Sequence, residues 1–506
     1  MVNYILSRYF LRTKPRPADK AVRPYNQSRR GDPCGRPPRL VPHFIQCVIA
    51  RPVRTPTVAI RIPVPKAPLP KGGWHGKVVT GGFFSRTPCK SYVIAKPVHA
   101  PAVAIRTPTE LFRFHLTRKE AGRMLRKISD FFLGCIRQVD LVLLALCTGA
   151  ALFGCLMIAS ATHYTGSYKN VIVQLAALCL GIVAYVLMSM LDLAEVSKHW
   201  KWLLGASLVL IFLLKTPLGM DGGTGNRAWL GVSGFPVNLQ PVEIVKLIFI
   251  ALLARQLVYL QENRDLKSIP SIALLGGHLV LIVGAYAVVS GDMGSALVLM
   301  FIFACMCFVA GVAKRWFVIG ILGGSFAFYV LWEEDKINPY MKDRFLTLFD
   351  HDLDPMGIGW QQTRSLLALG GGKLTGQGLF HGTQTQSKSA WSLPARHTDF
   401  IFSVIGEELG MLGCLFTIAL LAAIILRCVL IARHAQQRID MYICVGVAAM
   451  LIFQVISNIG MCLFVMPVIG LTLPFISYGG TSIVTLFAAM GMVSGIQKRA
   501  RPEWLR

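Results

Sequence analysis

Four stretches of the sequence carry polar side chains where a helix that does nothing but pack would not want them. The first is Asn226-Arg227-Ala228-Trp229, leading to Gln240-Pro241-Val242-Glu243-Ile244-Val245-Lys246. Glu243 and Lys246 are three apart, so on a helix they share a face and can pair, which matters wherever a lone charge is costly. An ion pair tying two helices together and a role in binding a ligand both suit this spacing. Trp229 suits an interfacial anchor better than a ligand platform. The second stretch, Ser290-Gly291-Asp292-Met293-Gly294-Ser295, reads foremost as a helix start capped by the Asp292 carboxylate.

The third stretch is the polar segment 334–398, which holds Arg344, Asp350, Asp352, Asp354, Gln361, Lys373 and Gln384 among Gly370, Gly371, Gly372, Gly376 and Gly378. Glycines at this density let backbone N–H groups approach an anion closely, and the Arg, Lys and Gln side chains can hydrogen-bond phosphate or sugar. A flexible surface loop has the same composition. The fourth stretch is Pro394-Ala395-Arg396-His397-Thr398-Asp399-Phe400, followed by Glu407-Glu408-Leu409-Gly410. Thr398 or Asp399 can cap the helix that follows, but a carboxylate beside Arg396 and His397 at the exterior mouth also suits a general base. The Glu pair lies about 12–13 Å further along a helix and forms a separate station. Asn458, Pro467, Pro474 and Ser477-Tyr478-Gly479-Gly480 interrupt the last apolar runs, as cavity-lining or closely packed helices do.

The elements that must position these residues are apolar. Of 506 residues 54% are hydrophobic and 15% charged, too apolar for an ordinary soluble chain of this length. Beyond Asp140 the apolar runs have membrane-spanning length, near 140–161, 170–191, 200–217, 241–259, 269–289, 292–311, 315–333, 399–432, 440–465 and 474–497. The fold expected is all-α: a polytopic membrane protein of about ten transmembrane helices with a long exterior loop between the seventh and eighth. Lys198, Lys201, Arg264, Lys267, Lys314, Arg315, Arg433, Arg438, Lys498 and Arg499 fall in alternate loops, which places both termini in the cytoplasm and 334–398 outside.

The formal charge of +27 does not point to nucleic acid, because residues 1–139 hold 27 of the 52 Lys/Arg and only 5 of the 25 Asp/Glu. The remainder is nearly balanced, with no P-loop and no zinc-type Cys/His spacing. The 13 cysteines form no CxxC pair, and most sit inside apolar runs, where packing explains them. Residues 1–123 are Pro/Arg-rich, and Val48–Arg61 recurs with substitutions as Val93–Arg106. Such a segment is expected to be disordered, or to be translated DNA ahead of a start at Met124, leaving 124–506 as the membrane domain.

In order and spacing, these motifs resemble the SEDS family (RodA, FtsW, SpoVE). The resemblance rests on Arg227-Ala-Trp229, Gln240-Pro-Val-Glu243-Ile-Val-Lys246, Asp354-Pro-Met-Gly-Ile-Gly-Trp-Gln361, Leu393-Pro-Ala-Arg-His-Thr-Asp399, Glu407-Glu-Leu-Gly410 and Leu473-Pro-Phe-Ile-Ser477-Tyr-Gly-Gly480. It implies a polymerase that joins lipid II units outside the membrane to a growing glycan strand, with inversion and release of undecaprenyl pyrophosphate. It also implies Asp399 as the catalytic carboxylate. The substrate contacts implied are Arg227, Trp229, Glu243, Lys246, Arg344, Gln361, Lys373, Gln384, Arg396, His397 and Ser477. A class B penicillin-binding protein is the implied partner, within membrane lipid, and no cofactor is certain, with a divalent cation (Mg or Mn) left open. The family's usual Pro-Asp-Leu-Gly-Thr stands here as Gly291-Asp-Met-Gly-Ser295, and Pro-Ser-Glu as Pro241-Val-Glu243. A lipid II flippase is the rival reading, although a transporter needs polar groups through its full depth, and here they gather at the exterior side.

Overall fold

A computed structural model describes residues 139–220, 226–231, 238–334, 339–349, 358–389 and 392–500. The expectations for residues 1–123 and for Asp350, Asp352 and Asp354 lie outside the described residues. Helices dominate. They are α1 (Leu141–Thr162), α2 (Lys169–Met190), α3 (Leu193–Lys198), α4 (Trp200–Phe212), α5 (Pro241–Asn263), α6 (Ile269–Leu279) and α7 (Ala285–Ser290). They continue as α8 (Met293–Ala310), α9 (Lys314–Glu333), α10 (Pro339–Phe349), α11 (Ile358–Gly371), α12 (Ile401–Arg433), α13 (Arg438–Cys462) and α14 (Gly480–Ala500). A π-helical turn, Val280–Gly284, joins α6 to α7. Two short strands, β1 (Gly219–Met220) and β2 (Trp229–Leu230), pair antiparallel.

Local chemistry sets many of the ends. Asp140 caps α1 through the Val142 N–H, Asp192 caps α3 through Ala194, and Asp292 caps α8 through Ser295, so the capping role read at Asp292 holds. Gly291 and Gly311 close α7 and α8 in the left-handed region.

Among the described residues, eight helices are long and apolar enough to cross a membrane. All ten expected runs are helical, and the two that fall short do so for identifiable reasons. The third is 13 residues of α4 continued by a 3-10 turn, Leu213–Lys215. The fourth, α5, is 23 residues long but carries Glu243, Lys246, Arg255 and Glu262. The eighth run begins at Ile401 and extends to Arg433, with a break at Gly410. The segment 334–398 is not structureless, since it contains α10 and α11.

The core lies where α13 packs against α5, α8 and α12, and where α14 runs along α2. Gly491 and Gly495, four apart on α14, lie against the Tyr185 and Ser189 carbonyls of α2, where a Cβ would collide. Small residues at this spacing let two membrane helices approach backbone to backbone. In contrast, no residue of α9 is buried. Asp140 pairs with Arg427 at 2.9 Å and Asp440 with Arg499 at 3.4 Å.

Candidate active site

Asp399 does not cap α12. The helix starts two residues later, with Phe400 at the cap position and no side-chain cap bond, so Asp399 lies in a turn that runs from Pro394 to Phe400. The turn is held by its backbone. Asn458 of α13 donates from Nδ2 to the Asp399 carbonyl at 2.8 Å and to the Leu471 carbonyl at 2.7 Å. Ser477 Oγ donates to the Thr398 carbonyl at 2.7 Å, and the Tyr478 N–H donates to the His397 carbonyl at 2.9 Å. With the main chain so fixed, the carboxylate is left to face the segment 466–471.

That segment is a meeting point. Arg344 of α10 donates from Nη1 to the Val468 carbonyl at 2.5 Å. Gln362 of α11 spans the Met461 and Met466 carbonyls at 3.0 and 2.8 Å. Gly294, just after the Asp292 cap, abuts the Ile469 carbonyl closely enough that no side chain fits. Gly470 has φ +68°, a conformation that favours glycine, and it lies beside the carboxylate, where a Cβ would stand 4.0 Å from Asp399 Oδ2 in ordinary contact. Asp399 retains some exposure, yet its carboxyl lies deep enough that desolvation lifts its pKa to about 6, against the opposing pull of the Arg344 guanidinium. A carboxyl poised there can take a proton near neutral pH. Burial, and then the neighbouring Arg396, lower the pKa of His397, which is therefore neutral at pH 7.

Glu243 and Lys246 form the ion pair that their spacing suggested, at 2.9 Å and almost fully buried. Thr485 of α14 donates to Glu243 Oε2 at 3.4 Å, and Thr481 donates to the Asn238 carbonyl at 2.8 Å. The Leu230 and Leu239 backbones exchange hydrogen bonds, which sets the Arg227–Trp229 stretch beside the entry to α5. Trp229 is half-buried on β2 and Arg227 is exposed. One segment, Ser477–Thr485, thus touches the Glu243 pair at one end and the Asp399 turn at the other.

Other expected contacts are already occupied by protein. Arg396 is buried, donates to the Gln384, Thr385 and Ser387 carbonyls and to Ser392 Oγ, and lies 4.0 Å from the centre of the Tyr164 ring. Glu407 accepts from Thr383 Oγ1, the Gln384 and Thr385 N–H groups and Thr385 Oγ1. Glu408 accepts from Ser160 Oγ at 2.5 Å and Gln386 Nε2 at 3.0 Å. The glycines of 370–378 serve the break in α12, where Gly410 has φ +69°. There Met411 and Leu412 donate to the Lys373 and Leu374 carbonyls, while Gln377 and Gly378 donate to the Glu407 and Glu408 carbonyls. The loop thereby satisfies the four backbone groups that the broken helix exposes. Lys373 is exposed, and Gln361 is half-buried next to the fully engaged Gln362. Gln174 was not singled out by sequence reasoning. It is buried on α2 and bonds both the Ser477 carbonyl and the Gly479 N–H, and its signal was an amide inside an apolar run.

Among the described residues no three His, Cys, Asp or Glu side chains gather as a metal ion would need.

The family model described as cell cycle protein, covering FtsW, RodA and SpoVE, matches residues 138–502. This chain belongs to that family. It is 32% identical over 375 residues to a probable peptidoglycan glycosyltransferase FtsW of Pseudomonas fluorescens, covering 72% of this chain and 89% of the relative. It is 33% identical over 325 residues to the peptidoglycan glycosyltransferase MrdB of Escherichia coli K12, covering 64% and 84%. Among solved structures it resembles a chain of a peptidoglycan synthase complex that coordinates polymerization and crosslinking, with TM-score 0.60, 29% identity, and 72% and 98% of the two chains covered. It also resembles the rod shape determining protein RodA of Thermus thermophilus, with TM-score 0.53, 27% identity, and 72% and 98% covered. The family, together with eight membrane-length helices, makes the chain a multi-pass membrane protein.

Proposed function

We propose that this chain is a peptidoglycan glycosyltransferase that polymerises lipid II into glycan strands at the exterior face of the cell membrane. The observation that carries the reading is a carboxylate, Asp399, in a turn held through the Thr398 and Asp399 carbonyls, with its side chain beside Gly470 and no hydrogen bond to it from the described residues. Membership in a family whose relatives are named peptidoglycan glycosyltransferases supplies the reaction class.

In the proposed reaction, the Asp399 carboxylate accepts the proton of the acceptor's 4-hydroxyl as that oxygen attacks the anomeric carbon of the donor. The bond from this carbon to the pyrophosphate oxygen breaks on the opposite face, which inverts the centre. The electron pair leaves on the pyrophosphate, an anion stable enough to need a cation nearby rather than an acid. Arg344 acts on Asp399 and opposes the effect of burial on its pKa, which favours the ionised carboxylate that the reaction needs. No step is routed through a metal ion.

The Glu243–Lys246 pair and the Arg227–Trp229 strand bind the substrate lipid at the other end of Ser477–Thr485. Lysine and arginine in alternate loops support cytoplasmic termini and an exterior 334–398. A class B penicillin-binding protein is the proposed partner, supported by likeness to a chain of a synthase that couples polymerization to crosslinking. The purified protein with that partner should convert lipid II to polymer. If it moves lipid II across vesicles and makes no polymer, the enzymatic reading fails.

A further inference from the structure

A cavity of about 650 Å³ opens between α4, α5 and α6; none of the residues placed around Asp399 lines it, and the proposed reaction makes no use of it. Its walls are mostly aliphatic, but Arg255, Gln256 and His278 line it as well. Arg255 stands eight residues before the end of α5, about 12 Å along the helix. Among the described residues it has no hydrogen-bond or ion-pair partner. Arg255 is partly buried, and a guanidinium without a protein partner within a membrane protein marks a ligand or a pathway.

His278 supplies a second, independent sign. Its Nδ1 lies 2.6 Å from Gln256 Oε1, and Gln256 Nε2 donates to the Leu274 carbonyl at 3.0 Å. The amide is therefore oriented with its oxygen to the ring, which puts the ring proton on Nδ1 and leaves Nε2 as an acceptor. Nε2 is buried and has no partner. A ligand that satisfies both groups offers one anion to Arg255 and one hydroxyl donor to Nε2.

The rest of the cavity says what carries those groups. Trp200, Tyr259, Leu274 and Leu281 on its rim are 42%, 53%, 47% and 44% exposed, so the opening faces the bilayer rather than the protein interior. Trp and Tyr favour the headgroup level of a membrane, and the volume falls within the range of ligand pockets, about 300–1,000 Å³. The π-helical turn begins two residues after His278 and carries Leu281 to the rim, a distortion common at functional sites.

We infer that this cavity is a binding site for one anionic phospholipid whose headgroup bears a free hydroxyl. Its phosphate sits on Arg255, its hydroxyl donates to His278 Nε2, and an acyl chain lies along the aliphatic wall. With the orientation proposed above, the lipid belongs to the cytoplasmic leaflet, but the test does not depend on that orientation.

Native mass spectrometry of the detergent-purified full chain, titrated with phosphatidylglycerol or phosphatidylethanolamine, reads the site directly. The wild type should retain one phosphatidylglycerol in preference to phosphatidylethanolamine. Arg255→Gln should weaken retention about tenfold or more, as loss of one charge-assisted contact does. Leu274→Trp, which leaves the charge and fills the cavity from its exposed rim, should also exclude the lipid. Thermal unfolding in lipid-free detergent identifies which variants are folded. Equal retention by the wild type and both folded variants, or equal retention of the two lipids, overturns the proposal. Displacement of the lipid by inorganic phosphate as readily as by phosphatidylglycerol overturns it too, because the acyl chain would then contribute nothing.

Discussion

Asp399 and the Glu407–Glu408 pair lie within ten residues of one another, and both are acidic groups at the mouth of the same helix, yet the fold treats them in opposite ways. The two glutamates are wholly buried and their oxygens are filled with donors from 380–386 and α1. At Asp399 the donors go to the backbone carbonyl, and the side chain, beside Gly470, takes no hydrogen bond from the described residues. A carboxylate whose lone pairs are occupied holds structure together, whereas one whose main chain alone is anchored can accept a proton. Residue type and position do not separate the two cases.

The contrast can be broken by isosteric amides. Asp399→Asn should lower polymerisation of lipid II by at least about 10²–10⁴-fold, the range expected for loss of a general base, with thermal stability retained. An Asn variant that polymerises as well as the wild type would remove Asp399 from the chemistry. Glu243→Gln or Lys246→Met alone should cost about 3–5 kcal/mol, since each leaves a buried charge uncompensated. The double variant should recover much of this, and purely additive effects in a double-mutant cycle would contradict the pair.

Glu407→Gln should act on stability, costing about 1–3 kcal/mol as one oxygen becomes a donor facing donors. Its remaining activity should keep the wild-type pH profile, because the group that titrates in the reaction is elsewhere.

The pH profile sharpens the comparison further. Asp399 must be ionised to act, and its pKa is raised to about 6, so activity should fall as pH drops through that value and level off above it. Arg344 lowers that pKa, so Arg344→Met should move the acid limb to higher pH. An unmoved limb would mean that the guanidinium does not face the carboxylate in the working enzyme.

Much of this was legible beforehand. Runs of about 20 apolar residues have one stable form in a bilayer, so the helices could be placed from hydropathy alone. The i, i+3 spacing of Glu243 and Lys246 put them on one face, and Asp292 before a helical run was a cap in sequence and in space. Gly376 and its neighbours were harder, because a glycine-rich stretch that cradles an anion and one that fills a broken helix have the same composition. Only the hydrogen bonds across Gly410 distinguish them. Arg396 was likewise read as a substrate group, and its guanidinium is engaged by carbonyls 9 to 12 residues back along the chain.

The sequence by itself determined the solvent, the helices and the identity of the groups able to do chemistry, because each depends on residue type and near-neighbour spacing. Which carboxylate stays open was decided by contacts from Asn458, Ser477 and Gly470, 59 to 78 residues away. Those contacts exist only once α12, α13 and the start of α14 have packed. Hydrogen bonds reach about 3 Å, so a group's chemistry is set by whatever the tertiary fold brings within that distance.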